Sequence, residues 1–182
     1  MGIIGTGQIG SIVIKELSGF GCRILAYNRH ENPDVADLAE YVPLETLYQE
    51  SDVISLHLPL TPETHHMISA ETLSRMKKGV VLVNCSRGAL TDIKALISGI
   101  ESEQIGALGL DCIEYEEDIV HKDLRTDILS NRDMAYLRQF KNVIHTQHMA
   151  FYTDSAVKSM VYCGVLGLIE MADGKSCATQ LC

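Results

Sequence analysis

Apolar residues fall along this chain in short, nearly continuous runs separated by stretches with helical spacing. The runs are Gly2–Gly5, Arg23–Tyr27, Asp52–Leu58 (DVISLHL), Val80–Asn84 (VVLVN), Gly106–Asp111 and Asn142–Thr146, which predicts six strands. Helical patterns lie between them. One runs from Gln8 to about Gly19 and is stopped by Gly21; Ser69 caps another through Met76 and Lys78, with Gly79 as its stop signal. Thr91 or Asp92 opens a third, to about Glu101, and Arg132–Phe140 carries a fourth. Thr153 opens a last, long helix that ends near Gly174. Strands without polar alternation belong to a sheet whose two faces are both covered by helices. Strand–helix alternation of this kind predicts an α/β fold with a doubly wound parallel sheet in three layers, α/β/α. Ligands of such sheets bind beyond the carboxyl ends of the strands, where the strand order reverses. The chemistry is therefore sought just after each strand.

The turn after the first strand reads Gly5-Thr6-Gly7-Gln8-Ile9-Gly10, a G-x-G-x-x-G that follows an apolar run and opens a helical pattern. In that context it is the dinucleotide-binding turn of a Rossmann-type sheet. Gly5 makes the tight turn, Gly7 lets a pyrophosphate approach the backbone, and Gly10 lets the helix pack closely on the strand. The pyrophosphate would meet the free N–H groups and the positive dipole end of the helix. At the end of the second strand, where a ribose-binding acid is expected, stands Asn28, followed by Arg29. A carboxylate would repel a 2′-phosphate; Asn28 would not, and Arg29 is placed to pair with one. Between NAD and NADP this favours NADP, or poor discrimination between the two. The alternative is that Asn28 still bonds the ribose of NADH while Arg29 faces solvent.

Three further strand ends carry chemistry. Asn84-Cys85-Ser86-Arg87-Gly88 follows the fourth strand, Asp111 through Glu116 follows the fifth, and Gln147-His148 follows the sixth. Arg87 can clamp a carboxylate through two parallel hydrogen bonds. A carboxylate such as Glu116 beside His148 favours imidazolium, which can donate a proton to a carbonyl oxygen near neutral pH. Taken singly, each has an ordinary reading: Arg87 in a surface ion pair, Glu116 in a solvated acidic run with Glu114, Glu117 and Asp118, His148 as a structural histidine. Their joint occurrence after successive strands argues for one site.

On these residues the sequence resembles the coenzyme-binding domain of the D-isomer-specific 2-hydroxyacid dehydrogenases, in the D-lactate dehydrogenase branch that includes the vancomycin-resistance-type dehydrogenases. The resemblance runs from Gly2 to about Asp173. It rests on the glycine turn, His57-x-Pro59 leading to Thr64, Asn84-x-x-Arg87-Gly88, Asp111 with Glu116, and Gln147-His148-Met149-Ala150-Phe151-Tyr152-Thr153. It implies an oxidoreductase that transfers a hydride between NAD(P)H and a 2-oxo acid such as pyruvate. Arg87 would bind the substrate carboxylate, His148 would be the general acid and base, and Glu116 would orient and charge His148. Gln8, Ile9, Leu58, Pro59, Thr64, Cys85 and Ser86 would line the cofactor groove, and Asp111 would face its nicotinamide end. The resemblance also implies a homodimer formed through this domain. The family's second, substrate-binding domain is expected to be missing from a chain that starts at the first strand. The resulting expectation is a single domain over residues 1–182 that binds cofactor with weak or no turnover. The alternative is a truncated, non-catalytic NAD(P)-binding and dimerisation module.

Composition narrows the partners. The chain has 182 residues, 46% hydrophobic and 21% charged, which is ordinary for a globular domain. Its net charge of −9 disfavours nucleic acid and anionic membrane surfaces. Six cysteines include no C-x-x-C pair; the nearest two are Cys177 and Cys182. No basic and apolar leader opens the sequence, so free thiols and a cytoplasmic location are expected. The longest apolar stretch, Val161–Ile169, is short of the ~20 residues that span a bilayer. No metal site is expected, because a ligand pattern is missing and His65 and His66, being adjacent, should not face one site. Cys85 reads as a small packing residue. The stripe Val157, Met160, Val161, Val165, Leu168 and Met171 is expected to be core more than contact surface.

Overall fold

A computed structural model describes residues 1–117, 119–120 and 131–176. His121, Cys177 and Cys182, and part of the long connection from Cys112 to Phe140, lie outside the described residues. The chain forms two compact units, Met1–Gln147 and His148–Cys182.

The first unit is built on a parallel sheet of β1 (Gly2–Ile4), β2 (Leu25–Tyr27), β3 (Glu40–Tyr41), β4 (Val53–Leu56), β5 (Val80–Asn84), β6 (Ile105–Leu110) and β7 (Val143–His145). Among the described residues these seven strands run in the order β3-β2-β1-β4-β5-β6-β7. The order reverses between β1 and β4, which opens the crevice where ligands of such sheets bind. The helices are α1 (Gln8–Ser18), α2 (Leu44–Glu50), α3 (Ala70–Ser74), α4 (Ile93–Glu101) and α5 (Arg132–Leu137), with α6 (Asp154–Ala172) in the second unit. The doubly wound α/β architecture and all six expected strands are present. The additional edge strand β3 and the helix α2 fall in the stretch between residues 28 and 52 for which the pattern gave no element.

Local chemistry explains the helix starts. Ser69 accepts from the Thr72 amide while the Thr72 hydroxyl accepts from the Ser69 amide, a reciprocal box that opens α3. Asp92, rather than Thr91, caps α4 by accepting from the amides of Lys94 and Ala95. Helix α4 then turns Ile93, Leu96 and Ile100 inward at helical spacing, all of them buried. Each such side chain contributes about 1.5–3 kcal/mol of burial. They join Ile54, Leu56, Leu82, Leu90 and Leu108 in the main core. Ile3, Ile14, Ile24, Ala26, Val35 and Ala39 form the smaller core under α1.

One expectation is corrected, and one ordinary alternative reading is narrowed. The stripe on α6 is not core: of that helix only Gly167 is buried, while Met160, Val161, Val165, Leu168 and Met171 are exposed. By length and composition α6 also suffices to cross a membrane, with 19 residues and a mean hydropathy of 1.3, a measure that helices packing on protein also meet. The acidic run is not uniformly solvated either: Glu114 is buried and Glu116 half-buried, whereas Glu117 is exposed.

Candidate active site and coenzyme groove

The glycine turn leaves β1 with Gly5 at φ +96°, a conformation L side chains rarely adopt. Its amide donates to the Tyr27 carbonyl at 2.8 Å, which ties the turn to β2. A β-carbon on Gly10 would lie 1.9 Å from the Gly5 carbonyl oxygen, whereas one on Gly7 would meet nothing within 4 Å. Gly10 is therefore needed for the fold, while Gly7 leaves open space beside its backbone. Gly7 is also the N-cap of α1 and supplies no side-chain cap, so the first amides of an eleven-residue helix face that space. A network braces the turn from the edge of the sheet. The Tyr41 hydroxyl donates to Thr6 Oγ1, the Asn32 side-chain amide donates to the Thr6 carbonyl, and the Asn32 amide donates to the Tyr41 hydroxyl, each at 2.8 Å. Sequence patterning missed this brace because Tyr41 lies on β3.

Two cavities lie along the crevice and share Leu58 and Pro59. One, of about 540 Å³, is lined by Gly7, Gln8, Ile9, Cys85, Ser86 and Arg87, together with His57 and Leu60. The other, of about 560 Å³, includes Asn28, Arg29 and Thr64 in its lining. Gln8, Ile9, Asn28, Arg29, Leu58, Pro59, Thr64, Cys85 and Ser86 thus all line the crevice. Thr64 also holds its shape, donating to the Pro59 carbonyl at 2.8 Å. Asp111 lines neither cavity; it is buried at the end of β6, where Thr146 donates to its carboxylate at 2.5 Å.

The second cavity holds residues the sequence reading did not find, among them Tyr48, Glu63 and Met67. Tyr48 belongs to the unassigned helix α2. Its hydroxyl is buried without a hydrogen-bond partner among the described residues. Burial, with a contribution from Tyr27, pushes that hydroxyl up to about 12. At the rim, Asn28 donates to the His30 carbonyl at 2.8 Å, and Arg29 lies 3.6 Å from Glu63, both side chains well exposed. His57 lines the first cavity, shares a 2.9 Å hydrogen bond with Ser55, and is held below the usual histidine range by burial.

The loops after β5 and β6 are locked together. Buried Asn84 donates to the Arg87 carbonyl at 2.8 Å and accepts from the Ser86 amide at 3.0 Å, which shapes the loop that presents Arg87. Ser86 donates to the Leu56 carbonyl at 2.7 Å, and Arg87 is exposed, its guanidinium donating to the Ser86 carbonyl at 2.6 Å. A β-carbon on Gly88 would lie 2.2 Å from the Ile113 carbonyl carbon and 2.5 Å from the Glu114 amide nitrogen. The Glu116 carboxylate accepts from the Ile113 amide at 2.9 Å. The structure therefore brings the Arg87 loop against the loop of Glu116. His148, at φ +53°, opens the second unit, two residues after Thr146.

Cys22, Cys85 and Cys163 are free thiols, and the buried Cys112 thiol donates to the Ser86 carbonyl at 3.4 Å. Burial, then the Asp111 charge, pushes Cys85 up, and burial with the Glu116 and Asp111 charges pushes Cys112 up to about 12. Neither carries the depressed pKa of an activated nucleophile.

An open glycine cradle at a helix start and a crevice at the strand-order reversal fit a dinucleotide, and they define an NAD-binding Rossmann-type domain. Residues 1–150 match the D-isomer specific 2-hydroxyacid dehydrogenase, NAD binding domain family. The chain belongs to that family. It is 41% identical over 181 residues to an aromatic 2-oxoacid reductase of Clostridium sporogenes, covering 99% of this chain and 55% of that protein. It is 40% identical to a D-lactate dehydrogenase of Escherichia coli, with the same coverage. The crystal structure of a D-lactate dehydrogenase from Treponema pallidum superposes with a TM-score of 0.93 at 34% identity, over 100% of this chain and 55% of that one. The chain thus spans about half the length of the relatives it matches.

Proposed function

We propose that this chain is the coenzyme-binding half of an oxidoreductase that interconverts a 2-oxo acid and a D-2-hydroxy acid, with pyruvate and D-lactate as the first pair to test. Bound NAD(H) would supply or accept the hydride. Arg87 binds the substrate carboxylate through paired, charge-assisted hydrogen bonds and polarises the neighbouring carbonyl. His148 gives the carbonyl oxygen its proton in reduction and takes it back in oxidation. Glu116 orients His148 and favours its charged form. The observation that carries this reading is the close approach of Gly88 to Ile113, which sets the Arg87 loop against the loop of Glu116 at adjacent strand ends.

The coenzyme choice follows from Asn28 and Arg29. No carboxylate stands at the end of β2 to exclude a 2′-phosphate, and the exposed Arg29–Glu63 pair is weak enough for a phosphate to displace Glu63. NADPH is therefore accepted alongside NADH and favoured by Arg29. The free thiols and acidic balance suit a cytoplasmic protein.

A second reading is a non-catalytic NAD(P)-binding module that pairs with another copy of itself, favoured by the exposed apolar residues of α6. Titration with NADH and NADPH, followed by pyruvate and a reading of absorbance loss at the nicotinamide band, tests both. Coenzyme binding with pyruvate-dependent oxidation supports the enzyme; binding without oxidation, in a dimer by light scattering, supports the module; absence of coenzyme binding removes both.

A further inference from the structure

Outside the crevice, one buried carboxylate draws an unusual set of neighbours. Glu114 follows β6 with only 8% of its side chain exposed, and its Oε1 lies 2.7 Å from His66 Nε2. The His65 ring stacks on the His66 ring, centroids 3.9 Å apart at an interplanar angle of 28°. Adjacent histidines on a regular element would point apart. Here His66 has φ +50°, and the turn this makes swings both rings to one side. The Tyr115 hydroxyl is bonded to the same carboxylate, and the Glu114 charge pushes its pKa up. Tyr115 is also left-handed, at φ +62°. Left-handed backbone is strained at a non-glycine residue. Two such residues therefore converge on one carboxylate. The His66 segment is pinned in place: its amide donates to the Ala89 carbonyl at 2.8 Å, and Ile68 bridges to Thr91.

We propose that His65, His66 and Glu114 form a binding site for a divalent transition-metal ion of the zinc class. One ligand atom from each lies within 4.8 Å of the other two. Ligands of a tetrahedral ion at ~2.0–2.2 Å stand ~3.3 Å apart. Rotation of the exposed His65 ring closes the remaining distance, while buried Glu114 supplies a fixed, charged anchor. Two imidazoles and one carboxylate suit zinc, nickel or copper rather than magnesium or calcium, which prefer oxygen donors alone. Three protein ligands leave a position for water. Binding replaces the hydrogen bond between His66 and Glu114 with bonds from both side chains to the ion. The ion joins the segment that contributes Thr64 and Met67 to the crevice to the loop that carries Glu116. The site stands independently of the substrate assignment above.

The test is zinc chloride titrated into the chelator-treated full chain with isotope-labelled histidine, followed by imidazole resonances and by calorimetry. The ring readout separates this site from the exposed thiols of Cys22, Cys85 and Cys163. The expected result is one ion per chain with selective shifts at His65 and His66, and at least tenfold weaker binding in both His65→Ala and Glu114→Gln. His65→Ala changes an exposed ring and carries the test alone if Glu114→Gln disturbs folding. Zinc that leaves the two rings unmoved, or a folded variant that keeps the original affinity, overturns the proposal.

Discussion

Gly88 and Ile113 approach so closely that a single added carbon on the glycine would lie 2.2 Å from the carbonyl carbon of the isoleucine. That contact joins the loop bearing Arg87 to the loop bearing Glu116. Backbone cannot yield as a flexible side chain would. Gly88→Ala should therefore cost at least the ~1–3 kcal/mol of ordinary overpacking. Thermal unfolding should shift down by about 2–4 °C per kcal/mol in a chain of this size. An unchanged midpoint would mean that the two loops separate freely.

The glycine turn makes opposite predictions for two of its members. Gly7→Ala has open space in the free protein and should keep its unfolding midpoint, yet its methyl would occupy the cradle beside the α1 amides. NADH affinity should fall at least tenfold. Gly10→Ala would drive a methyl into the Gly5 carbonyl and should lower both stability and affinity. Fluorescence titration paired with thermal unfolding distinguishes these outcomes. Equal NADH affinity in Gly7→Ala and the parent would place the coenzyme elsewhere.

At the rim, Glu63 lies 3.6 Å from Arg29. Glu63→Gln removes a charge that competes with a 2′-phosphate, so NADPH should gain about 2–5-fold over NADH, as expected for an exposed pair. Asn28→Asp should act in the other direction and lower NADPH affinity at least tenfold, because it restores a carboxylate at the ribose end. Calorimetric affinities for the two coenzymes check both variants.

Burial lowers the pKa of His57, and burial followed by the Arg138 charge lowers that of His145, whose two ring nitrogens are buried without partners among the described residues. Glu116 and Asp111 act on His145 in the opposite sense. A histidine depressed in the folded state takes up protons on unfolding. Stability is then full above the unfolded value, ~6.5, and falls as pH drops from there through the folded value. Each such group contributes a slope of at most ~1.4 kcal/mol per pH unit. Unfolding midpoints should fall between pH 7 and pH 5, and His145→Leu should flatten that fall. A midpoint that rises on acidification would contradict the burial argument.

The strand ends that carry Arg87, Glu116 and His148 were legible in the sequence because each is an apolar run that stops at a polar residue. The caps Ser69, Asp92 and Thr153 were legible because their side chains bond the amides that follow. Strand β3 was not, since two residues, Glu40 and Tyr41, offer no period to read. With it went the brace from Tyr41 to Thr6 and, on the neighbouring helix, Tyr48 in the crevice wall. The stacking of His65 on His66 was hidden because it depends on a left-handed backbone at a residue that carries no signal for one. Glu114 stands in an acidic run in the sequence, which hides that its neighbour in space is His66.

The most direct test of the account is the binding of a 2-oxo acid analogue, oxamate, to NADH-loaded protein, with and without Arg87→Ala. Two charge-assisted hydrogen bonds at ~1.5 kcal/mol each correspond to roughly 100-fold in affinity. The account predicts that oxamate binds only when NADH is present and that Arg87→Ala weakens it about 100-fold while leaving NADH affinity within a few-fold. Oxamate bound equally well by the variant, or bound without NADH, would contradict it.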